Sequence, residues 1–363
     1  MKKAAHFLLV KELAHSPPND AIVSALRELN MEVDLFAPGM TDEDVHYGKG
    51  VRGRSAEYGV KWLARNLFSR RWMEYSVFSG TCEDPMVVVG MLGQVYRRPT
   101  FCLADEIRAG AYRGNAREYW KKLARFGMRR AGFNIVNDEA RVDLQREYAG
   151  ISARRPIIVY PGSFREPPAP GDRDRLRSLW GVQRDSIVIS HSGHFYMTGG
   201  ADALLQAVMD DEQLFALIQP VSLDEMTAFL LANLRCSDRI YVEPGRLSWH
   251  EAWASMAGVD IGLVMYRNPA PQFQRMGTSS NKLCMYLSMG VPVIALRQDS
   301  FKFIEEYECG VLVEDGAPLA PAIDIIRNRQ EEMRKNALVC AKEYIAPQRK
   351  YITLAESIAN LIQ

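Results

Sequence analysis

Gly277-Thr278-Ser279-Ser280-Asn281-Lys282-Leu283-Cys284-Met285-Tyr286-Leu287-Ser288-Met289-Gly290-Val291-Pro292-Val293-Ile294 reads as a loop, a helix and a buried strand. Ser279 or Ser280 is the N-cap, Gly290 the C′ residue, and Pro292 prevents the helix from continuing. The plain reading is a well-capped helix in a βα repeat. A sharper one starts from the loop, which is small and polar, holds no carboxylate, and is followed by Lys282 in the first helical turn. A cation there opposes the helix dipole, so a compensating anion is expected. Free backbone N–H groups, two hydroxyls and an ammonium would together make a phosphate site.

Outward from this segment, short apolar runs alternate with helical patterns, which argues an α/β chain with parallel sheets. On the N-terminal side, His6–Val10, Val33–Phe36, Met86–Val89, Thr100–Leu103 and Ile135–Val136 read as strands. A helix capped by Asn19 or Asp20 runs to Leu29, with Ile22, Val23, Leu26 and Leu29 on one face. Prolines and glycines crowd 156–171 and mark a linker. Ser186–Ser190, Leu214–Ile218, Ile240–Val242, Asp260–Met265, Val293–Ala295 and Val311–Val313 are the strands of a second series. Helices are expected near Ala201–Met209, Asp224–Asn233 and Thr353–Gln363. Two such domains suggest a ligand cleft between them, since ligands lie beyond the carboxyl ends of parallel strands.

Composition narrows the classes. At 363 residues the chain suits two domains. Its 45 Lys and Arg balance 44 Asp and Glu, which disfavours a dedicated nucleic-acid binder. The longest apolar stretches are far too short for a membrane span, and no signal peptide is seen. Six cysteines without a CxxC pair disfavour zinc ribbons, redox motifs and disulfide scaffolds, and suit a cytosolic compartment. No P-loop and no GxGxxG occurs.

Other groups read either way. His191 and His194 form His-x-x-His without a third ligand nearby, so no metal is expected. His194 is either a donor beside a phosphate or a solvated loop residue. Asp105 and Glu106 follow a strand, where carboxylates serve either chemistry or a helix start. Asp42-Glu43-Asp44 and Asp172-Arg173-Asp174 read as solvated charge. Two basic stretches remain: Lys49–Arg71, with seven cations against Glu57, and Arg117–Arg130, with six against Glu118 among Tyr119, Trp120 and Phe126. They are ordinary solvated helix faces or a surface that docks on anionic lipid.

The opening segment, with Gly310, Leu312 and Val313 downstream, resembles the donor-binding region of group 1 (family 4-like) glycosyltransferases of the GT-B fold. Ser280, Lys282, Leu283, Tyr286, Gly290, Pro292, Val293 and Ile294 match its Ser-x-Lys-Leu…Tyr…Gly-x-Pro-Val-Ile pattern. Val159-Tyr160-Pro161-Gly162, Ile189–Gly193, the helix at Phe301–Tyr307 and Arg246–Asp260 echo other parts of the family. Two departures stand out. Met285 occupies the place of the glutamate that holds the donor ribose, and the usual Arg and Lys are missing from Gly193–Gly200.

The resemblance implies two Rossmann-like domains. Residues 1–165, with 346–363 packing back, would bind the acceptor, and 166–345 the nucleotide-sugar donor. It implies transfer of a sugar to an acceptor hydroxyl without a metal or other cofactor, in polysaccharide or glycolipid synthesis, on a carbohydrate or lipid-linked acceptor. Gly193, His194, Ser279, Ser280, Asn281, Lys282 and Met285 would border the donor, and Asp105 or Glu106 would act at the reacting carbon. The enzyme would be cytoplasmic, peripheral at the inner membrane face. A non-catalytic relative serving as a binding or scaffold protein, or a nucleotide-sugar epimerase on the same fold, is the alternative.

Overall fold

The computed structural model describes residues 2–107, 115–183, 185–221, 223 and 225–363, without the side chains of 115–117 and 230. Asp224, at the start of an expected helix, and the Arg117 side chain thus lie outside the described residues. The chain forms two compact units: Met1–Arg165 with Ala270–Gln272 and Pro347–Gln363, and Glu166–Pro269 with Phe273–Ala346.

Seven parallel strands build the first unit: β1 (Lys3–Phe7), β2 (Glu32–Ala37), β3 (Val51–Ser55), β4 (Tyr75–Thr81), β5 (Thr100–Leu103), β6 (Phe133–Val136) and β7 (Ile157–Val159). Their order in space is β3-β2-β1-β4-β5-β6-β7. Among the described residues, five helices join them: α1 (Pro17–Glu28), α2 (Val60–Asn66), α3 (Glu83–Tyr96), α4 (Asn115–Arg130) and α5 (Val142–Ala149). Both faces of a parallel sheet need covering. Phe7, Trp72, Phe78, Val87 and Val88 fill one side, and Ile22, Leu26, Leu35, Phe101 and Phe133 the other. Helices α3 and α4 meet at two glycines, where a Cβ on Gly90 would lie 2.6 Å from Gly127 Cα.

The second unit repeats the plan with β8 (Ile187–Gly193), β9 (Leu214–Pro220), β10 (Ile240–Val242), β11 (Ile261–Val264), β12 (Val293–Leu296) and β13 (Gly310–Val313), ordered β10-β9-β8-β11-β12-β13. Its helices are α6 (Arg173–Leu179), α7 (Ala201–Asp210), α8 (Glu225–Ala232), α9 (Trp249–Ser255), α10 (Asn281–Ser288), α11 (Phe303–Glu306), α12 (Ala320–Asn328) and α13 (Gln330–Cys340). The last helix, α14 (Pro347–Ile362), belongs to the first unit and packs Tyr351, Leu354 and Ile358 beside Ile22 and Leu26. Each sheet reverses its order once, at β1/β4 and at β8/β11, and such switch points are where open α/β sheets receive ligands. No helix of the described residues is long and apolar enough to cross a membrane.

Several expectations need correction. Met86–Val89 is the middle of α3, and the strand is Tyr75–Thr81. All four residues are buried, so the run carries no helical period, although Glu83, Asp84 and Pro85 mark a helix start. The first strand lies at Lys3–Phe7 rather than His6–Val10, and α1 starts at Pro17 behind Ser16, leaving Asn19 turned inward. β7 lies inside the proline-rich stretch read as linker. The acidic tripeptides are structural. Asp44 closes a capping box with Thr41 and pairs with Lys11 at 2.8 Å, while Asp172 caps α6 and Arg173 pairs with Asp260 at 2.5 Å.

Candidate functional site

Tyr286 ties α10 to the switch point of the second sheet. Its buried hydroxyl donates to the Ser190 carbonyl at 3.0 Å and accepts from the Ser192 N–H at 3.2 Å. Its ring lies over Gly262, where any Cβ would collide with it. The carboxyl end of β8 therefore sits beside the start of α10. Ser280, fully buried, is the N-cap: its Oγ accepts from the Leu283 N–H at 3.2 Å and shares a hydrogen bond with the Tyr266 hydroxyl at 2.7 Å. Upstream, the Met276 N–H donates to Gln298 Oε1 and the Gly277 N–H to Ser300 Oγ, both at 3.1 Å.

This frame holds several polar groups that the protein leaves unused. The half-buried Lys282 ammonium lies 4.9 Å from the Tyr266 ring centroid, and no carboxylate among the described residues pairs with it. Burial pushes its pKa down to about 8. Among the described residues, Ser279 Oγ and Asn281 Oδ1 are buried without a hydrogen-bond partner, as is His191 Nδ1. His191 spends its other nitrogen on the Gly199 carbonyl at 3.0 Å, and burial with the nearby Lys282 charge pushes its pKa down to about 3. A neutral imidazole acceptor, an ammonium and two unpaired oxygens thus share one corner. The first N–H groups of α10 have no acceptor within the helix. An oxyanion would satisfy the ammonium and those N–H groups, and a hydroxyl such as that of Ser279 can donate as well as accept.

Of the residues expected from sequence, Ser279, Ser280, Asn281 and Lys282 come together here. Gly193 ends β8 with φ +102°, a conformation suited to glycine. His194 is exposed and stacks on Tyr196, with centroids 5.5 Å apart. Met285 is buried at 3% exposure, so a thioether rather than a carboxylate fills that place on α10. Tyr266 was not anticipated. Its signal was its position, directly after a strand at the carboxyl edge of the sheet.

In the first unit, Asp105 and Glu106 follow β5 in a stretch that is not helical through Ile107. Asp105 is half-buried and Glu106 exposed. Burial, with the Glu106 charge, pushes the Asp105 carboxyl up to about 6 against the pull of Arg141, whose guanidinium donates to the Asp105 carbonyl at 2.9 Å.

No family model and no curated protein sequence matches the chain. Solved structures do. Sucrose-phosphate synthase of Thermosynechococcus elongatus aligns over 99% of both chains with a TM-score of 0.76 and 15% identity. Anabaena HepE in complex with UDP aligns over 99% of this chain and 100% of its own, with a TM-score of 0.74 and 17% identity. WaaG, a glycosyltransferase involved in lipopolysaccharide biosynthesis, covers 99% of both chains at a TM-score of 0.65 and 13% identity. The chain has the GT-B fold, with two Rossmann-like units of parallel sheet.

Proposed function

We propose that this GT-B protein transfers a sugar from a nucleotide-sugar to an acceptor hydroxyl. The observation that carries the reading is the unpaired ammonium of Lys282 beside the unpartnered Ser279 hydroxyl at the start of α10. The structural likeness to HepE, solved with UDP and with UDP-glucose, supports a nucleotide-sugar as donor. In this reading Lys282 and the first α10 N–H groups hold the diphosphate. They stabilise the charge that builds on it as the sugar–oxygen bond breaks. That stabilisation comes from an ammonium, so the reading requires no metal. Met285 leaves the ribose without the family's carboxylate, which assigns most of the donor affinity to the phosphates.

The acceptor hydroxyl needs a base. Asp105 is better supported than Glu106, because a carboxyl near 6 is mostly ionised at neutral pH yet still a useful proton acceptor. A carbohydrate or lipid-linked acceptor in polysaccharide or glycolipid synthesis fits the reading. Six free, buried cysteines suit a reducing, cytoplasmic setting.

Two measurements test the proposal. Lys282→Ala should weaken UDP binding by about 10- to 100-fold in calorimetric titration, the value of a charge-assisted hydrogen bond. Undiminished affinity returns Lys282 to a structural role. Asp105→Asn should lower turnover by about 10²-fold while UDP affinity stays the same, and parental turnover should fall as pH drops through 6. Full turnover in Asp105→Asn, with loss in Glu106→Gln, moves the base to the neighbouring residue.

A further inference from the structure

The Lys282 ammonium lies 4.9 Å from the Tyr266 ring centroid, within reach of a cation–π contact. The same ring is tied to the helix that carries the lysine. The Tyr266 hydroxyl and Ser280 Oγ share a hydrogen bond at 2.7 Å, and Ser280 caps α10 by accepting from the Leu283 N–H. Ring, cap and ammonium are thus one connected group.

Tyr266 is itself held from several sides. Half-buried just beyond β11, its ring stacks on Phe273 with centroids 6.2 Å apart and meets the fully buried Phe301 at 6.3 Å. The next residue anchors the backbone. The Arg267 N–H donates to the Thr198 carbonyl at 2.9 Å, and its guanidinium donates to both Asp202 oxygens at 2.6 and 2.8 Å.

A desolvated ammonium needs a partner, and the kind of partner decides what else can bind. A carboxylate would neutralise the charge and repel an oxyanion. The face of an aromatic ring attracts the cation and leaves its charge in place. An ammonium has three N–H bonds, so those turned away from the ring remain available to phosphate oxygens. A lysine side chain is also flexible, and binding has to freeze it unless the protein already has done so. His191 at the end of β8 is the titratable neighbour that feels this charge, and it stays neutral.

We propose that Tyr266 is a positioning residue for Lys282: its ring holds the ammonium ready for a diphosphate, and its hydroxyl fixes the ring against the α10 cap. The inference rests on the reading of Lys282 as a phosphate ligand. Tyr266 acts through the lysine and not by touching the ligand. A ring that parked the ammonium away from the site would do the reverse, since the ligand would have to pull the lysine off it. The Ser280 hydrogen bond favours the first arrangement, because it ties the ring to the helix end whose first N–H groups await the same ligand.

Calorimetric titration of the full chain with UDP, in a double-mutant cycle of Tyr266 and Lys282, tests the proposal. Tyr266→Leu should weaken UDP binding about tenfold, within the range of a partly desolvated cation–π contact. Tyr266→Phe keeps the ring and should stay within about threefold of the parent. In the Lys282→Met background, Tyr266→Leu should change the affinity less than about twofold. Inorganic pyrophosphate, which has no base or sugar to stack on a ring, should lose the same factor as UDP in Tyr266→Leu. Thermal melts check that each variant folds, and Tyr266→Met repeats the test should leucine unfold the protein.

Undiminished affinity in Tyr266→Leu, beside a normal loss in Lys282→Ala, overturns the inference and leaves the phosphate reading standing. Tighter binding in Tyr266→Leu overturns it in favour of a parked ammonium. An equal loss in both lysine backgrounds, or a loss for UDP alone, overturns it in favour of a ring that meets the ligand directly. Undiminished affinity in Lys282→Ala removes the reading on which it rests.

Discussion

The two sheets reverse their strand order in the same way, but the chain treats the two switch points differently. At β1/β4 the polar groups are closed on one another. His6 Nε2 donates to Asn19 Oδ1 and its Nδ1 accepts from Ser79 Oγ, each at 2.8 Å. Thr81 Oγ1 donates to the same Asn19 oxygen at 3.0 Å, while Asn19 Nδ2 donates to the Leu13 carbonyl and Ser16 Oγ. The Asn19 oxygen can only accept from His6, so the ring carries a proton on Nε2, and as the neutral ring it leaves Nδ1 to accept. Burial pushes the ring's pKa down to about 4. At β8/β11 the buried Ser279 and His191 and the half-buried Asn281 and Lys282 are left with open valences among the described residues. A closed polar network contributes to the stability of one fold, whereas open groups cost stability until something binds.

The contrast breaks most readily at Asn19. Asn19→Ala should lower the free energy of urea unfolding by more than about 3 kcal/mol, because it orphans the His6 and Thr81 donors together. A loss below about 1 kcal/mol would show that the network is incidental. Acid should do nearly as much. The folded pKa of His6 lies below the unfolded value of 6.5, so its contribution is complete above pH 6.5 and is lost as pH falls toward 4. That shift is worth about 3 kcal/mol, and His6→Phe should remove the corresponding part of the pH dependence.

On the open side the signs reverse. Lys282→Met should leave the unliganded protein as stable as the parent or more so, since a desolvated ammonium with a lowered pKa works against the fold. UDP affinity should fall as pH rises above about 8, where the free ammonium loses its proton, and Lys282→Met should abolish that dependence. Ser279→Ala should have the smallest effect. Stability should change by less than about 0.5 kcal/mol because no hydrogen bond is broken, and UDP affinity should drop a few-fold.

Local chemistry was legible wherever a single short segment carried it. Thr100–Leu103 and Ile240–Val242 are strands at the ends expected from their apolar runs and turn residues. Ser280 caps α10, and Gly290 follows that helix at φ +69°. These features depend on neighbours a few residues apart, so composition and spacing are enough to expose them. Met86–Val89 failed for the same reason: four consecutive buried residues look alike in a strand and in a helix covered on all sides.

The sequence by itself also showed a lysine in a first helical turn without a local carboxylate. That a distant carboxylate does not reach it among the described residues, and that the Tyr266 ring does, was decided by tertiary structure. The same holds for the closed cluster, where His6 and Ser79 are 73 residues apart. Whether a cation of a basic run is paired, as Lys121 is with Glu118, is likewise decided only once the chain is folded. Helix caps and strand runs are written in short-range contacts, but whether a buried polar group is satisfied depends on partners brought from elsewhere in the chain. That pairing of distant side chains separates a structural polar core from a candidate binding site.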